Sequence, residues 1–579
     1  MPMKRREFLR WAGAAATASV LASAPAGAEP PAPAWFEERT AAAGITFRHR
    51  ASPNPLKYLI STMGSGVALF DYDRDGRLDI FLANGAHILQ PQPPGTLPRK
   101  LGPAWWNRLY HQDARGHFED VTEAAGLAGA GYSTGVAAGD FDNDGYPDLY
   151  VCGYGGNHLY HNDGHGHFTD VTAAAGVAGG GWCTSAAWFD YDRDGRLDLI
   201  VCRYMEWDFQ HPRCGPDKPG HRSYCHPNLF PPASLLLYHN EGGGRFREVA
   251  AEAGLTKKGK SLGVAIADYD LDGWPDVYIT NDTWPEFLFH NRKNGTFEEV
   301  ALLSGCALDG DGRTFAGMGV DFADYDNDGR PDIVIGDLGH QMYPLYHNDG
   351  AAGFSYQTYS SGLGAISARH AGWGLRWMDY DNDGRKDLLV TQADVLDTIH
   401  LIHPDLHYRQ TMLLARNLGQ GRFADVSARA GFRQRWAGRG LAIGDIDNDG
   451  RLDAVVTTNN GPAHLLMNRT PTRHHWLRLR LEGRRSNREA IGARVKLTTA
   501  DGPQYAEVTT GGSYQSSSDP RLHFGLGRQA LARELEIEWP SGVKQRLANL
   551  RADRQLDLIE PEGAAASQTA APAQSDGDA

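Results

Sequence analysis

Residues 71–79 read Asp71-Tyr72-Asp73-Arg74-Asp75-Gly76-Arg77-Leu78-Asp79, and the frame Asp-x-Asp-x-Asp-Gly-x-x-Asp returns six more times. The later copies place Asp140, Asp142, Asp144 and Asp148; Asp190, Asp192, Asp194 and Asp198; Asp268, Asp270, Asp272 and Asp276. They continue with Asp324, Asp326, Asp328 and Asp332; Asp379, Asp381, Asp383 and Asp387; Asp445, Asp447, Asp449 and Asp453. Successive copies start 50 to 78 residues apart, a period that marks a repeat architecture. Four carboxylates within nine residues repel one another unless a cation neutralises them. Calcium takes six to eight oxygen ligands at about 2.3–2.6 Å in a flexible shell, whereas magnesium holds a stricter octahedron. Positions 1, 3 and 5 can wrap such an ion, position 7 can offer its carbonyl, and the glycine at position 6 allows the turn. A helix-flanked calcium loop needs an acid at position 12. Leu82 stands there in the first copy, and no copy has an acid. All 28 aspartates are therefore candidate metal ligands, for up to seven Ca²⁺.

The flanks decide the fold. Small and apolar residues precede the second loop (Ser133–Gly139), and Leu149–Cys152, Leu159–Asn162 and Gly166–Val171 follow it. Four short strands per unit suit the blades of a propeller. A fourth-strand phenylalanine recurs at Phe118, Phe168, Phe246, Phe297, Phe354 and Phe423, six for seven loops. Trp35-Phe36-Glu37-Glu38 lies ahead of the first loop and supplies the missing strand, so that the chain start completes the last blade and no sheet edge stays open. The expectation is an all-β chain with a seven-bladed β-propeller over 35–468. Residues 474–560 lack acidic loops and alternate as in Trp476–Leu481, which predicts a small β-sandwich-like domain. Within it Ser486-Asn487-Arg488 and Ser513–Ser518 read either as turn chemistry or as a polar recognition surface. Residues 562–579 are small and polar and read as a disordered tail.

Particular segments carry a resemblance. With Met63-Gly64-Ser65-Gly66-Val67-Ala68-Leu69-Phe70-Asp71, Leu159-Tyr160-His161-Asn162 and Arg439-Gly440-Leu441, the repeats resemble the FG-GAP/VCBS repeats of integrin α-subunit propellers. Ser486-Asn487-Arg488-Glu489-Ala490-Ile491-Gly492-Ala493-Arg494 and Leu522-His523-Phe524-Gly525-Leu526-Gly527 resemble an ASPIC/UnbV domain. Over roughly 35–560 the chain is similar to bacterial members of the cartilage acidic protein (CRTAC) family. That resemblance implies a secreted, calcium-binding propeller and no defined activity. Cys214 and Cys225, with ten residues between them, suit a disulfide in an oxidising compartment, and the family pattern resembles this pair.

Composition narrows the function classes. The 579 residues carry a net charge of -14, which argues against nucleic acid, and no apolar run is long enough to span a membrane. Lys4-Arg5-Arg6-Glu7-Phe8-Leu9-Arg10, a short apolar stretch and Ala26-Gly27-Ala28 make residues 1–28 an export signal that resembles the twin-arginine type, which points to a periplasmic or secreted protein. Cys152, Cys183, Cys202 and Cys306 read as buried core residues.

Three long insertions, about 85–106, 203–233 and 394–412, fall between second and third strands and so project from the face opposite the acidic loops. Binding usually resides on such loops. His400, His403, Asp405, His407 and Tyr408, with Arg369-His370 entering from the preceding connection, are candidates for a transition metal or for acid–base work, and His370, His400, His403 and His407 are the catalytic candidates. His211, His221, His226, His87, Trp105 and Trp106 lie on the other two insertions, and Arg313, Arg369 and Arg439 suit an anionic or sugar ligand. Three readings stay open: a calcium-stabilised scaffold binding an extracytoplasmic protein, an enzyme working from the insertion face, and a glycan-binding propeller. No catalytic constellation is recognisable, so the reading leans away from an enzyme.

Overall fold

Every acidic loop has the same backbone. The fourth residue takes a positive φ in all seven copies (Arg74, Asn143, Arg193, Leu271, Asn327, Asn382 and Asn448, between 56° and 63°), and so does the glycine at position 6. Asparagine tolerates that region best among residues with a side chain, and it fills four of the seven fourth positions. A Cβ on Gly76 would meet nothing, so this glycine is required by its φ of 89° rather than by space.

Each loop joins the first two strands of a four-stranded antiparallel sheet. The computed structural model describes residues 34–563, apart from 211–213, 215, 219 and 220, together with the strand Ala565–Thr569. Among these residues there are seven such sheets, and the fold is a β-propeller followed by a β-domain. The first blade is built from Val67–Phe70, Asp79–Leu82, Arg108–Gln112 and Phe118–Asp120. The last combines Gly438–Gly444, Asp453–Thr458 and His464–Asn468 with Phe36–Glu38, which pairs antiparallel to Leu466–Asn468. The strand expected to close the ring does so.

The innermost strands touch their neighbours all the way round, and the last, Gly438–Gly444, touches the first, Val67–Phe70. Small residues permit this approach: a Cβ on Gly135 would stand 1.9 Å from the Thr184 carbonyl oxygen of the next blade. Five of these strands shift register near their start, between Ser133 and Val136 for example, which is the bend a strand needs to follow the bore. Apolar side chains fill the wedges between blades, as where Val67, Leu69 and Ile80 meet Ala442, Val455 and Leu465. A polar tie recurs in each wedge. Asn162, Asn240, Asn291, Asn348, Asn417 and Asn468, all buried at the end of a third strand, donate their side-chain amides to the carbonyls of Tyr72, Phe141, Tyr191, Tyr269, Tyr325 and Tyr380 of the preceding blade, at 2.8–2.9 Å.

The β-domain has two sheets. Pro503–Glu507, Arg494–Thr498, Leu531–Glu538, Lys544–Arg551 and Ala565–Thr569 form one; Leu522–Gly527, His475–Glu482 and Arg554–Ile559 form the other. The last strand corrects the expectation of a disordered tail from 562: Ala565–Thr569 pairs in parallel with Lys544–Ala548, whose open edge offers a ladder of backbone groups. The export signal at 1–28 and His211 lie outside the described residues.

The domain does not stand beside the propeller. Its segment Thr510–Asp519 runs down the bore and bonds to the innermost strand of every blade. Val136 and Leu69 donate backbone N–H groups to the carbonyls of Gln515 and Ser517; Gly512 and Ser513 donate to Val264 and Val320. The Trp188 N–H reaches Thr510 Oγ1 at 2.8 Å, Ser513 Oγ donates to the Leu441 carbonyl at 2.7 Å, and Arg376 donates to the Gly511 carbonyl at 3.0 Å. Ser513–Ser518 is thus neither a surface nor an ordinary turn. It is the polar filling of a channel lined by backbone, where hydroxyl and amide groups satisfy strands that would otherwise face a void.

Candidate metal centres

Within a loop the four aspartates divide the labour. In the first, Asp71 accepts the N–H groups of Asp75 and Gly76, and Asp79 accepts those of Tyr72 and Gln112. Positions 1 and 9 thus hold the turn to itself and to the third strand, and the other loops repeat the pattern. Asp73 and Asp75 face away from these bonds and share their space with His111.

Sequence reasoning missed that histidine. His111, His161, His239, His290 and His347 occupy the same place on five third strands, and each brings a ring nitrogen within 4.8 Å of the carboxylate oxygens at positions 3 and 5 of its loop. The separations are 3.0 Å from His161 Nε2 to Asp142 and 3.2 Å from His347 Nε2 to Asp326. The signal was legible as the recurring Leu-Tyr-His-Asn element, of which the sequence reading took only the strand.

Two loops differ. In the sixth, Arg416 replaces the histidine and stands 2.9 Å from Asp381 and 3.4 Å from Asp383. In the seventh, Arg469 lies 2.8 Å from Asp447 and 3.0 Å from Asp449. A second guanidinium thus joins the acids in these two blades, where the position-7 arginine already pairs with position 5 as Arg77, Arg196 and Arg330 do in three of the others.

The donor set fits a divalent cation. Burial pushes Asp79 up to about 6 and Asp140 and Asp190 up to about 8, so the ionised loops are held at a cost that a bound cation removes. Oδ1 of Asp192, at position 3, is buried and has no hydrogen-bond partner. Carboxylates and a position-7 carbonyl suit calcium, and the imidazole adds one nitrogen donor.

The β-domain covers this face. Glu489 accepts the Asp140 N–H at 2.8 Å, and the Arg488 N–H reaches Asn143 at 2.7 Å. Arg478 pairs with Asp445 at 2.8 Å, Arg494 with Asp268 at 3.3 Å, and His523 with Asn382 at 2.8 Å. Ser486 and Asn487 are buried within their own domain, where Asn487 bonds both backbone groups of Ile491 at 2.8–2.9 Å, so this segment is turn chemistry that also presents the Arg488 N–H to the propeller.

On the opposite face the insertions pack over the bore. Tyr514, at the tip of the axial segment, meets Tyr58, Ile60, Met63, Trp182, Tyr204 and Trp373 in one aromatic cluster. Arg439 is fully buried there, 3.8 Å from the Trp373 ring centre, and gives its N–H groups to the carbonyls of Thr62, Gly438 and Asp394. Cys214 and Cys225 form a disulfide in the second insertion, and the other four cysteines are buried. His403 packs edge-on to His340 with ring centres 5.1 Å apart, and His340 Nε2 is 2.9 Å from Asp405. His400 and His407 are exposed, while His370 is half-buried and burial lowers its pKa. Arg369 approaches Asp405 at 4.0 Å, and Arg313 pairs with Asp311.

The family model for FG-GAP-like repeats matches residues 71–151, 140–201, 230–279, 268–335 and 403–456, together half of the chain. A second model, ASPIC and UnbV, matches 483–565. The chain is 27% identical to cartilage acidic protein 1 of Mus musculus over 340 residues, 56% of this chain and 49% of that protein. The Homo sapiens protein of the same name gives 27% over 340 residues, 56% and 48%. The chain thus spans about half the length of the curated relatives it matches. Among solved structures, an Agrocybe aegerita lection described as recognising non-reducing terminal N-acetylglucosamine aligns at 17% identity over 70% of this chain and 94% of its own, with a TM-score of 0.38. No helix among the described residues is long and apolar enough to cross a membrane.

Proposed function

The chain belongs to the FG-GAP-like repeat family, and from that premise we propose that it is an extracytoplasmic scaffold held together by calcium and docking a partner through its insertion-bearing face. One observation carries the docking surface. The loop face is covered by the β-domain, whereas Leu89, Leu97, Leu101, Leu229 and Ile402, all on the three insertions, are exposed large apolar side chains. The ions act on the other face. Each neutralises the acids at positions 3 and 5 and relieves the buried pair at 1 and 9, so it stabilises the loop without taking part in a reaction.

The test is chelation. Purified protein in EDTA should melt at a clearly lower temperature and recover on adding calcium; an unchanged melting temperature overturns the cation-dependent scaffold. A second reading rests on the His340, His403 and Asp405 group, whose rings lie at a spacing two imidazoles adopt around one transition metal. Stoichiometric zinc, copper or iron lost on replacing His403 would favour an enzyme or metal carrier; calcium alone leaves the scaffold.

A further inference from the structure

A cleft of about 650 Å³ opens where the sixth and seventh blades meet the β-domain. Separate stretches of chain build it: Trp35 just ahead of the closing strand, Arg416 and Arg429 from the sixth blade, Arg473 and His474 from the connection into the β-domain, and Arg528 from the domain itself. Its wall carries four arginines and a single acid, Asp381. That acid is already met, since Arg416 stands 2.9 Å from its Oδ2 and His474 Nδ1 donates to its carbonyl at 2.8 Å. The flanking acids are engaged too: Asp383 pairs with Arg385 and Arg416, Glu37 with Arg39, and Asp501 accepts from Gln529 at 3.1 Å.

The other three arginines are not engaged. Arg429, Arg473 and Arg528 are exposed, and among the described residues none of their guanidinium groups has an ion pair or a hydrogen bond. Elsewhere on the loop side such groups are spent on neighbouring acids, as Arg77 is on Asp75 and Arg330 on Asp328. The blades also differ from one another here. Where Trp35 precedes its strand's phenylalanine, other blades have His117, His167, Thr296 or Gly353; six residues past that phenylalanine, where Arg429 stands, they have Ala124, Ala174, Glu252 or Leu303. The two departures meet: Arg429 lies 5.6 Å from the Trp35 ring centre, and Trp35 stacks on Tyr380 at 5.3 Å. The ring thus steadies one guanidinium at the wall and leaves its N–H groups unspent. Unpaired cations gathered in one concavity repel one another until an anion lies between them, and they focus a positive potential on a chain of net charge -14. We propose that this cleft binds a ligand carrying several closely spaced oxyanion groups, sulfate or phosphate, through charge-assisted bonds from Arg429, Arg473 and Arg528. Because Arg528 belongs to the β-domain and Arg429 to the propeller, the bound anion also ties one to the other.

The same groups can come on a free small molecule or along a polymer, and calorimetric titration of the full chain separates the two. The probes are sucrose octasulfate and dextran sulfate, with sucrose and dextran as uncharged controls; sulfate esters, unlike polyphosphates, leave calcium in the loops. At least one sulfated probe should bind at low salt and more weakly as salt rises, and neither control should bind. Tighter binding of sucrose octasulfate assigns the cleft to a free ligand, and tighter binding of dextran sulfate to a polymer. Arg473→Ser with Arg528→Ser should weaken binding about tenfold without lowering the melting temperature of the unliganded protein. Arg433→Ser with Arg435→Ser, at exposed positions outside the cleft, should leave it unchanged. Binding of neither sulfated probe, full affinity in the folded Arg473→Ser, Arg528→Ser protein, or an equal loss in both double variants overturns the proposal.

Discussion

Gln112 donates its side-chain amide to the carbonyl of Ile446 at 3.1 Å, joining the first blade to the last. With the six asparagines that do the same between the other blades, it completes a belt of seven buried amide bonds around the ring. The blade holding Gln112 is the one whose third strand ends Leu-Tyr-His-Gln instead of Leu-Tyr-His-Asn, and the longer side chain spans the seam where the two ends of the propeller meet.

Breaking one belt link should be felt by the whole ring. Asn291→Ala removes the bond to Tyr191 at 2.8 Å and that to Pro275 at 3.2 Å, leaving two buried carbonyls unpaired. A loss of about 1–3 kcal/mol is expected, read as a lower urea midpoint in a single transition.

The two arginine-bearing loops should take up ions less readily than the five with histidine. Arg416→His removes the guanidinium now 2.9 Å from Asp381 and restores the side chain of the other blades. Elemental analysis after dialysis against calcium should then find one more bound ion per chain than in the unaltered protein; equal stoichiometry refutes the idea that this arginine displaces the cation.

The tip of the axial segment should matter more than its distance from any loop suggests. Tyr514 is fully buried, and its hydroxyl donates to the Met63 carbonyl at 3.2 Å. Tyr514→Phe should cost about 1 kcal/mol and Tyr514→Ala about 3–5 kcal/mol, measured by equilibrium denaturation.

Acid should weaken the fold partly through His49. Burial, with Lys100 and Arg439 nearby, pushes its pKa from 6.5 down to about 3. The Asn460 N–H donates to Nδ1 at 3.0 Å, a bond that protonation there breaks. Between these two pH values the unfolded chain binds the proton and the folded one does not. Stability is therefore full above pH 6.5 and falls as pH drops toward 3, by up to about 1.4 kcal/mol per pH unit. His49→Gln should flatten that part of the profile, as urea titrations at pH 7 and pH 5 would report.

Leu271 offers a gain. It sits at φ 63°, 40% exposed, where Asn143, Asn327, Asn382 and Asn448 each donate to the position-6 glycine carbonyl of the next loop. Leu271→Asn should relieve the backbone and add the missing bond to Gly329, raising stability by about 1 kcal/mol, seen as a higher melting temperature.

The periodic part of this molecule could be read directly. Seven identical aspartate frames fixed the loops, and the count of phenylalanines, one short, located the closing strand at Phe36. Where the β-domain would lie was illegible, because its contacts join residues hundreds of positions apart and use ordinary side chains such as Arg478, Arg494 and Glu489. Ser513–Ser518 read as turn chemistry or a recognition surface since serine and glutamine are polar. A bore lined by backbone amides needs polar filling, and composition cannot distinguish the two settings. The strand-three histidines were visible yet unassigned, because nothing in one strand says that its side chain comes back beneath a loop 17 to 45 residues earlier.

The axial segment also bears on the order in which the molecule is made. Ribosomes finish the seven blades well before residue 510 emerges, and a ring assembled by then would have an empty shaft lined with unpaired backbone groups. The ring reaches its full set of hydrogen bonds only once that mandrel is in place, since the segment bonds to the innermost strand of every blade. On that view a domain translated after the propeller is the tool on which the blades are drawn tight, and a chain stopped short of it would leave blades with nothing to be wound upon.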